Sequence, residues 1–188
     1  MRLGIIGGSF SPPHKDHKQI ALDLIKRNIV DKVIFVPVSD EYGKDSLISF
    51  QNRYEMLKLM FKNNNNISLS DYELGKGKLY AYQVFNYFTN LYPKDMIYFI
   101  MGMDNLNQIF DWKKGNYILE KYNILAITRD NLKMDNRLKK RPNVLEIKVE
   151  SSNFSSTDIR KKIKNTEDLS EVLDKNVIDY IKTNNLYL

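Results

Sequence analysis

The residues best placed to do chemistry lie near the start of the chain, in the stretch Gly7-Gly8-Ser9-Phe10-Ser11-Pro12-Pro13-His14-Lys15-Asp16-His17. Gly7 and Gly8 carry no side chains, so backbone N–H groups there can come close to phosphate oxygens. The stretch follows a short apolar run and opens a helical pattern. The positive end of that helix would point at the same place. His14 and His17 are the only histidines in the chain, and at a spacing of three they share one face of a first helical turn. A His-x-x-His pair can also be accidental or half of a metal site, but zinc would need a third ligand, and the chain offers neither a third histidine nor a thiolate. No Gly-x4-Gly-Lys-Ser/Thr loop is present, and no Gly-x-Gly-x-x-Gly follows the first strand. The Gly-Gly loop is therefore read as a phosphate site of another kind, with no metal held by protein side chains.

Three further places stand out. Ser155-Ser156-Thr157-Asp158 offers several helix N-caps in a row, which is either plain capping or a second anion site. Asp104 stands just beyond a strand's C-terminal end, where its carboxylate could accept hydrogen bonds from ribose hydroxyls or cap a helix. Trp112, the only tryptophan, is either core or a ligand platform.

These groups need a scaffold, and the apolar runs predict one. Arg2 to Ile6, Lys32 to Val36, Ile67 to Leu69, Asp95 to Met101, Asn123 to Thr128 and Val144 to Val149 read as strands. They are apolar throughout rather than alternating, as a sheet covered on both faces requires. Helices are expected between them. The first carries Ile20, Ala21, Leu24 and Ile25 on one face. The second covers about Phe50 to Lys62, with Tyr54, Leu57 and Phe61 inward, and the third about Leu79 to Leu91, with Tyr80, Val84, Tyr87, Phe88 and Leu91 inward. Asn63 to Asn66 is a loop. A short helix through Ile159 to Lys164 and a last one over about Leu173 to Thr183 close the chain. The expectation is an α/β fold with a doubly wound, Rossmann-like parallel sheet, helices on both faces and a small C-terminal helical segment over about 155–188. Residues 1–188 read as a single domain, with no repeat and no linker.

Composition narrows the function further. Of 188 residues, 43% are hydrophobic and 12% aromatic, enough for a real core. The absence of cysteine excludes disulfide scaffolds, thiolate metal sites and cysteine nucleophiles, and makes a cytoplasmic location the expectation. No apolar run approaches the ~18–20 residues a bilayer needs, and the N-terminus breaks at Gly7-Gly8 before it could act as a signal peptide. Lys and Arg number 29 against 23 Asp and Glu, a net charge of +6. The densest cluster, Arg137, Lys139, Lys140 and Arg141, lacks interleaved aromatics and reads as a solvated loop rather than a nucleic-acid patch. Neither nucleic acid nor membrane is expected as a partner.

The Gly7 to His17 loop resembles the Gly-Gly-Ser/Thr-Phe-x-Pro-x-His-x-Gly-His signature of the nucleotidylyltransferase superfamily. Phe154-Ser155-Ser156-Thr157-Asp158-Ile159-Arg160 is similar to that superfamily's second phosphate motif. Ile100-Met101-Gly102-Met103-Asp104 followed by Trp112, and Val177-Ile178-Asp179-Tyr180-Ile181 with Leu186-Tyr187, resemble blocks of the bacterial nicotinate-nucleotide adenylyltransferase branch. The resemblance runs from Gly4 to Tyr187. It implies transfer of AMP from ATP to nicotinate mononucleotide, with the amide analogue as a second acceptor, giving deamido-NAD and pyrophosphate in NAD biosynthesis. His14, His17 and Arg160 would be catalytic. Gly7, Gly8, Ser9, Phe10, Gly102, Asp104, Ser156 and Thr157 would join them in binding ATP, and Lys44, Tyr80, Trp112 and Arg129 would bind the acceptor. Mg2+ would be held mainly by the triphosphate. The alternatives are a different phosphate acceptor (phosphopantetheine or a phosphoalcohol) and a nucleotide-binding module without turnover.

Departures from the pattern fall on the sites. Ser11 stands where the family loop is usually acidic, and Asp16 replaces the glycine between the histidines. A carboxylate there would repel a triphosphate unless it faces solvent or a metal ion, and its offset from His14 places it on another face of the helix. Glu41-Tyr42-Gly43-Lys44 keeps only the lysine of the branch's Pro-Pro-His-Lys. Leu79-Tyr80-Ala81 stands for Ser-Tyr-Thr, and Lys113 replaces the usual aromatic or histidine after the tryptophan.

Overall fold

Strand side chains alternate between the two faces of a sheet, and here both faces are covered by helices. The computed structural model describes residues 1–43, 47–128, 132–150 and 154–188. Six strands, β1 (Arg2–Gly8), β2 (Lys32–Pro37), β3 (Ile67–Leu69), β4 (Met96–Gly102), β5 (Asn123–Thr128) and β6 (Val144–Lys148), pair in parallel in the order β3-β2-β1-β4-β5-β6. Ile6, Val33, Phe35, Ile100, Leu125 and Ile127 enter one buried cluster. Leu3, Ile5, Ile34, Val36, Ile97, Phe99, Ile124 and Ala126 enter the other. That division is why the strands read as unbroken apolar runs.

The helices follow the same logic. On the first face lie α1 (Lys15–Lys26) through Ile20, Ala21 and Leu24, and α2 (Phe50–Phe61) through Met56, Leu57, Met60 and Phe61. On the second lie α3 (Ala81–Leu91), α4 (Met103–Asn107), α5 (Gly115–Lys121) and α6 (Asn136–Lys139). The C-terminal helices α7 (Ser156–Lys164) and α8 (Lys175–Thr183) return to the first face, burying Ile159, Ile163, Val177 and Ile181. Right-handed crossovers force this arrangement. The chain steps outward from β1 to β3 with helices on one side, then jumps back to β4 and steps the other way with helices on the opposite side. The reversal leaves a crevice between β1 and β4 at the strands' C-terminal ends, the usual ligand position in this architecture.

Two expectations change, and one residue lies where no expectation was made. On α3, Tyr80 and Leu91 are exposed, and Phe85 takes the inward place, stacked on Phe99 at a centroid distance of 3.6 Å. The basic cluster is partly helical: Arg137 and Lys139 lie on α6, and Arg137 pairs with Asp135 at 2.7 Å while its guanidinium sits 3.9 Å from the centre of the Phe110 ring. On α2, Arg53 is fully buried on the apolar face, between Phe50 and Met56.

Candidate active site

A cleft of about 1070 Å3 opens at the crevice. Gly7, Gly8, Ser9 and Phe10 line it from the end of β1, and Gly102 and Asp104 from the end of β4. His14, His17, Ser156, Thr157, Arg160, Tyr80 and Trp112 complete the set. Every sequence-predicted site residue among the described ones thus faces one cavity. Lys44 and Arg129 lie outside the described residues.

The loop after β1 is fixed from below. A Cβ on Gly8 would meet the Phe10 ring at 3.0 to 3.3 Å, so only glycine lets the backbone lie this close to the ring. Phe10 is itself buried, with a left-handed backbone (φ 47). Its edge meets His17 at a centroid distance of 5.0 Å and it packs on Phe35 at 5.4 Å. Phe10 is therefore the floor that supports His17, not a ring free to stack on a nucleotide. His14 caps α1, and its backbone N–H donates to His17 Nδ1 at 3.2 Å. With Nδ1 accepting, the neutral His17 ring carries its proton on Nε2. The two imidazoles lie 3.8 Å apart.

Asp16 faces neither solvent nor the cleft. It is buried in the first turn of α1, where the helix N-terminus favours a carboxylate, and it is not among the cleft-lining residues. The expected different face holds, so its charge is turned from the space a triphosphate would occupy.

The second wall comes from the start of α7. Ser155 is the N-cap, its Oγ accepting from the Asp158 N–H at 3.2 Å while Asp158 Oδ2 accepts from the Ser155 N–H at 3.1 Å. The Ser155 hydroxyl, donating to the same Asp158 Oδ2, and then the Ser155 backbone N–H hold the Asp158 carboxyl below its ordinary range. Capping by Ser155 frees Ser156 and Thr157 for the cleft. Ser156 Oγ donates to Pro12 O at 3.0 Å, and Arg160 donates to Ser11 O at 2.7 Å and to Thr157 Oγ1 at 3.0 Å. The two phosphate motifs, far apart in sequence, are thus one hydrogen-bonded unit. Ser11 joins a third segment: its Oγ and Tyr187 OH are 3.1 Å apart, and burial pushes the Tyr187 phenol up.

The other end of the cleft is built differently. Tyr80 is exposed and Trp112 half-buried, and Lys78 and Lys113 line the wall beside them. Gly102 gives the close approach here, since a Cβ would collide with Asp104 Oδ1. Gly102 itself caps α4, and Asp104 lies exposed in its first turn, so the capping alternative for Asp104 falls away.

Sequence reasoning passed over two buried charges. Arg53 donates through Nε to Ile48 O at 2.9 Å, through Nη1 to Ser9 O at 3.0 Å, and through Nη2 to Val38 O at 2.8 Å and Asp40 Oδ1 at 2.9 Å. Glu73, also buried, lines the cleft with Oε2 lacking a hydrogen-bond partner. Burial pushes its carboxyl up to about 7, against the opposing pull of the Ser39 backbone N–H and the Arg53 guanidinium. The signal for Arg53 was present: Phe50, Arg53, Leu57 and Met60 recur at helical spacing on one stripe. Among the described residues no cluster of three or more His, Asp or Glu side chains could hold a metal ion, and no helix is long and apolar enough to cross a membrane.

The chain is similar to known proteins in sequence and in fold. The family model for cytidylyltransferase-like proteins matches residues 5–162. A Fusobacterium nucleatum protein named "Probable nicotinate-nucleotide adenylyltransferase" is 33% identical over 183 residues, 94% of this chain and 95% of its own length. A Clostridium tetani protein of the same name is 31% identical over 99% of this chain and 98% of its own. Among solved structures, Plasmodium falciparum nicotinic acid mononucleotide adenylyltransferase complexed with NaAD superposes with a TM-score of 0.87 at 25% identity, covering 99% of this chain and 97% of that one. The chain belongs to the cytidylyltransferase-like family and, within it, to the nicotinate-nucleotide adenylyltransferase branch.

Proposed function

We propose that this protein transfers the adenylyl group of ATP to nicotinate mononucleotide, forming the dinucleotide deamido-NAD and releasing pyrophosphate, a step of NAD biosynthesis. The observation that carries the reading is the convergence of the histidine loop, the α7 N-terminus and Trp112 on one cleft. Residues 1–188 are read as one nucleotidyltransferase domain, placed in the cytoplasm on the identity of its substrates.

In the reaction an oxygen of the acceptor's 5′-phosphate forms a bond to the α-phosphorus of ATP. The bond from that phosphorus to the bridging oxygen breaks, and its electrons leave with pyrophosphate. The nucleophile is already anionic, so the protein has no difficult proton to remove. Its work is alignment and charge stabilisation. His17 Nε2–H, with the ring held by Phe10 and the His14 backbone, donates to the transferring phosphoryl group, and His14 assists beside it. Gly7, Gly8 and Ser9 supply backbone donors. Ser156, Thr157 and Arg160 receive the β- and γ-phosphates, the guanidinium offering paired N–H donors that a lysine would lack. Asp104 accepts from ribose hydroxyls, and Trp112 with Tyr80 takes the acceptor's pyridine ring, with Lys44 and Arg129 assigned to the same end.

Mg2+ is assigned to the triphosphate itself. Such an ion keeps most of its ligands as phosphate oxygens and water, which leaves Asp104 to the ribose. When bound, the ion neutralises charge on the triphosphate.

Pyrophosphate release with ATP, Mg2+ and nicotinate mononucleotide tests the reading, with dinucleotide identified by mass. Stoichiometric dinucleotide and pyrophosphate are expected. Release only with phosphopantetheine or a phosphoalcohol would assign another acceptor, and ATP binding with no release would leave a nucleotide-binding module.

A further inference from the structure

Two consecutive lysines follow Trp112, and the backbone sends them to different places. Trp112 is extended (φ -77, ψ 147), and Lys114 is left-handed (φ 60). Lys114 Nζ lies 4.5 Å from the centre of the Tyr82 ring and 5.8 Å from that of Tyr117, and Lys114 is not among the residues that line the cleft. Lys113 turns the other way. It lines the cleft beside Trp112, and its Nζ sits 4.3 Å from the centre of the Tyr80 ring. Tyr80 is anchored in turn, its backbone N–H donating to Gln83 Oε1 at 3.0 Å at the start of α3. Among the described residues no carboxylate forms an ion pair with Lys113.

We propose that Lys113 is a specificity-determining residue, its ammonium reading the ring substituent of the acceptor and selecting a pyridine carboxylate over the corresponding amide. The inference rests on the acceptor reading above and deepens it. A tyrosine face attracts an ammonium through its quadrupole without using up the N–H donors, so Tyr80 holds Lys113 in place with those donors free. A ring lying on Trp112 brings its substituent to the neighbouring side chain. A carboxylate there accepts a charge-assisted hydrogen bond. An amide is neutral, and turned one way it sets its own N–H donors against the ammonium, so the residue works against the wrong acceptor as well as for the right one. Lys78, the other cleft-lining ammonium among the described residues, sits 6.0 Å from the centre of the Tyr42 ring and is assigned no part in this choice.

The test is kcat/KM for nicotinate mononucleotide and for nicotinamide mononucleotide, measured with saturating ATP and Mg2+ in the wild type, Lys113→Gln, Lys113→Arg and Lys114→Gln. Lys113→Gln is expected to lower kcat/KM for the acid about tenfold and leave the amide unchanged or improved, as loss of one charge-assisted contact implies. Lys113→Arg should keep most of the acid preference. Lys114→Gln removes the same charge one residue away and should leave the ratio alone. An equal fall with both acceptors would place Lys113 on the phosphate they share and overturn the proposal. So would an unchanged ratio, or a Lys114→Gln effect as large as that of Lys113→Gln. A wild type silent with both acceptors overturns the functional reading and this proposal with it. An acid-selective wild type whose ratio survives Lys113→Gln overturns this proposal alone.

Discussion

The two ends of the cleft are held by different forces. At the phosphate end the side chains are buried or tied down. Arg53 is fully enclosed and bonds to the β1 loop, the end of β2 and the start of α2. Ser156 and Arg160 stitch α7 to Pro12 and Ser11, and Tyr187 approaches Ser11 from the C-terminus. At the acceptor end Tyr80 is 39% exposed, and cation–ring contacts from lysines take the place of buried hydrogen bonds. The difference follows the chemistry. A triphosphate must meet donors already in place, because electrostatic stabilisation works only when the dipoles need not reorganise. A pyridine ring needs a flat surface and one charge of the right sign, which an exposed platform can provide.

The contrast predicts unequal mutational effects. Removing the His17 donor should cost most: His17→Ala is expected to lower kcat by about a thousandfold while the protein stays folded, with only a small fall in melting temperature from the lost cap bond, checked by steady-state kinetics and thermal unfolding. Retention of most activity would remove His17 from the phosphate end. Arg53→Met should cost stability first, about 3 kcal/mol, because three backbone carbonyls, that of Val38 fully buried, lose their donor. Chemical denaturation measures it, and a near-neutral effect would mean that the loop stands without this support.

Glu73, buried in the cleft wall, sets a pH dependence. Its folded-state carboxyl is raised to about 7 from its ordinary value of 4.5, so the folded protein binds the proton more tightly than the unfolded chain. The resulting stability is complete below about pH 4.5 and is lost as pH rises through 7. Wild type should therefore lose on the order of 3 kcal/mol across that window, and Glu73→Gln should flatten the slope. An identical slope in the variant would show that Glu73 ionises normally. The smallest effect belongs to the open platform. Trp112→Ala should raise the acceptor's KM about tenfold while leaving that of ATP nearly unchanged. Equal changes in both would erase the distinction between the two ends.

Much of this was legible in the residues, and the misses have physical causes. Strands buried on both faces give continuous apolar runs, so all six could be read, and their alternation with helices predicted the doubly wound sheet. The helices α4, α5 and α6 span five, seven and four residues, too short for a 3.6-residue period to emerge. On α3 the stripe was misplaced by its aromatics: Tyr80 lies outside at the cap and Phe85 inside, because the residue preceding a helix does not share its face. Arg53 and Glu73 went unnoticed because charged residues read as surface, and only the tertiary fold shows which are enclosed. Asp16 illustrates the opposite case. Its charge looked hostile to a triphosphate, and the helix geometry that turns it from the cleft was readable from its spacing to His14.

The division of the cleft can be tested most directly by the fluorescence of Trp112, the only tryptophan in the chain. Titration with nicotinate mononucleotide should quench it strongly as the pyridine ring stacks, whereas a non-hydrolysable ATP analogue, bound at the far end, should change it little. Quenching by the ATP analogue as strong as that by the mononucleotide, or none by the mononucleotide at concentrations that support turnover, would contradict the account.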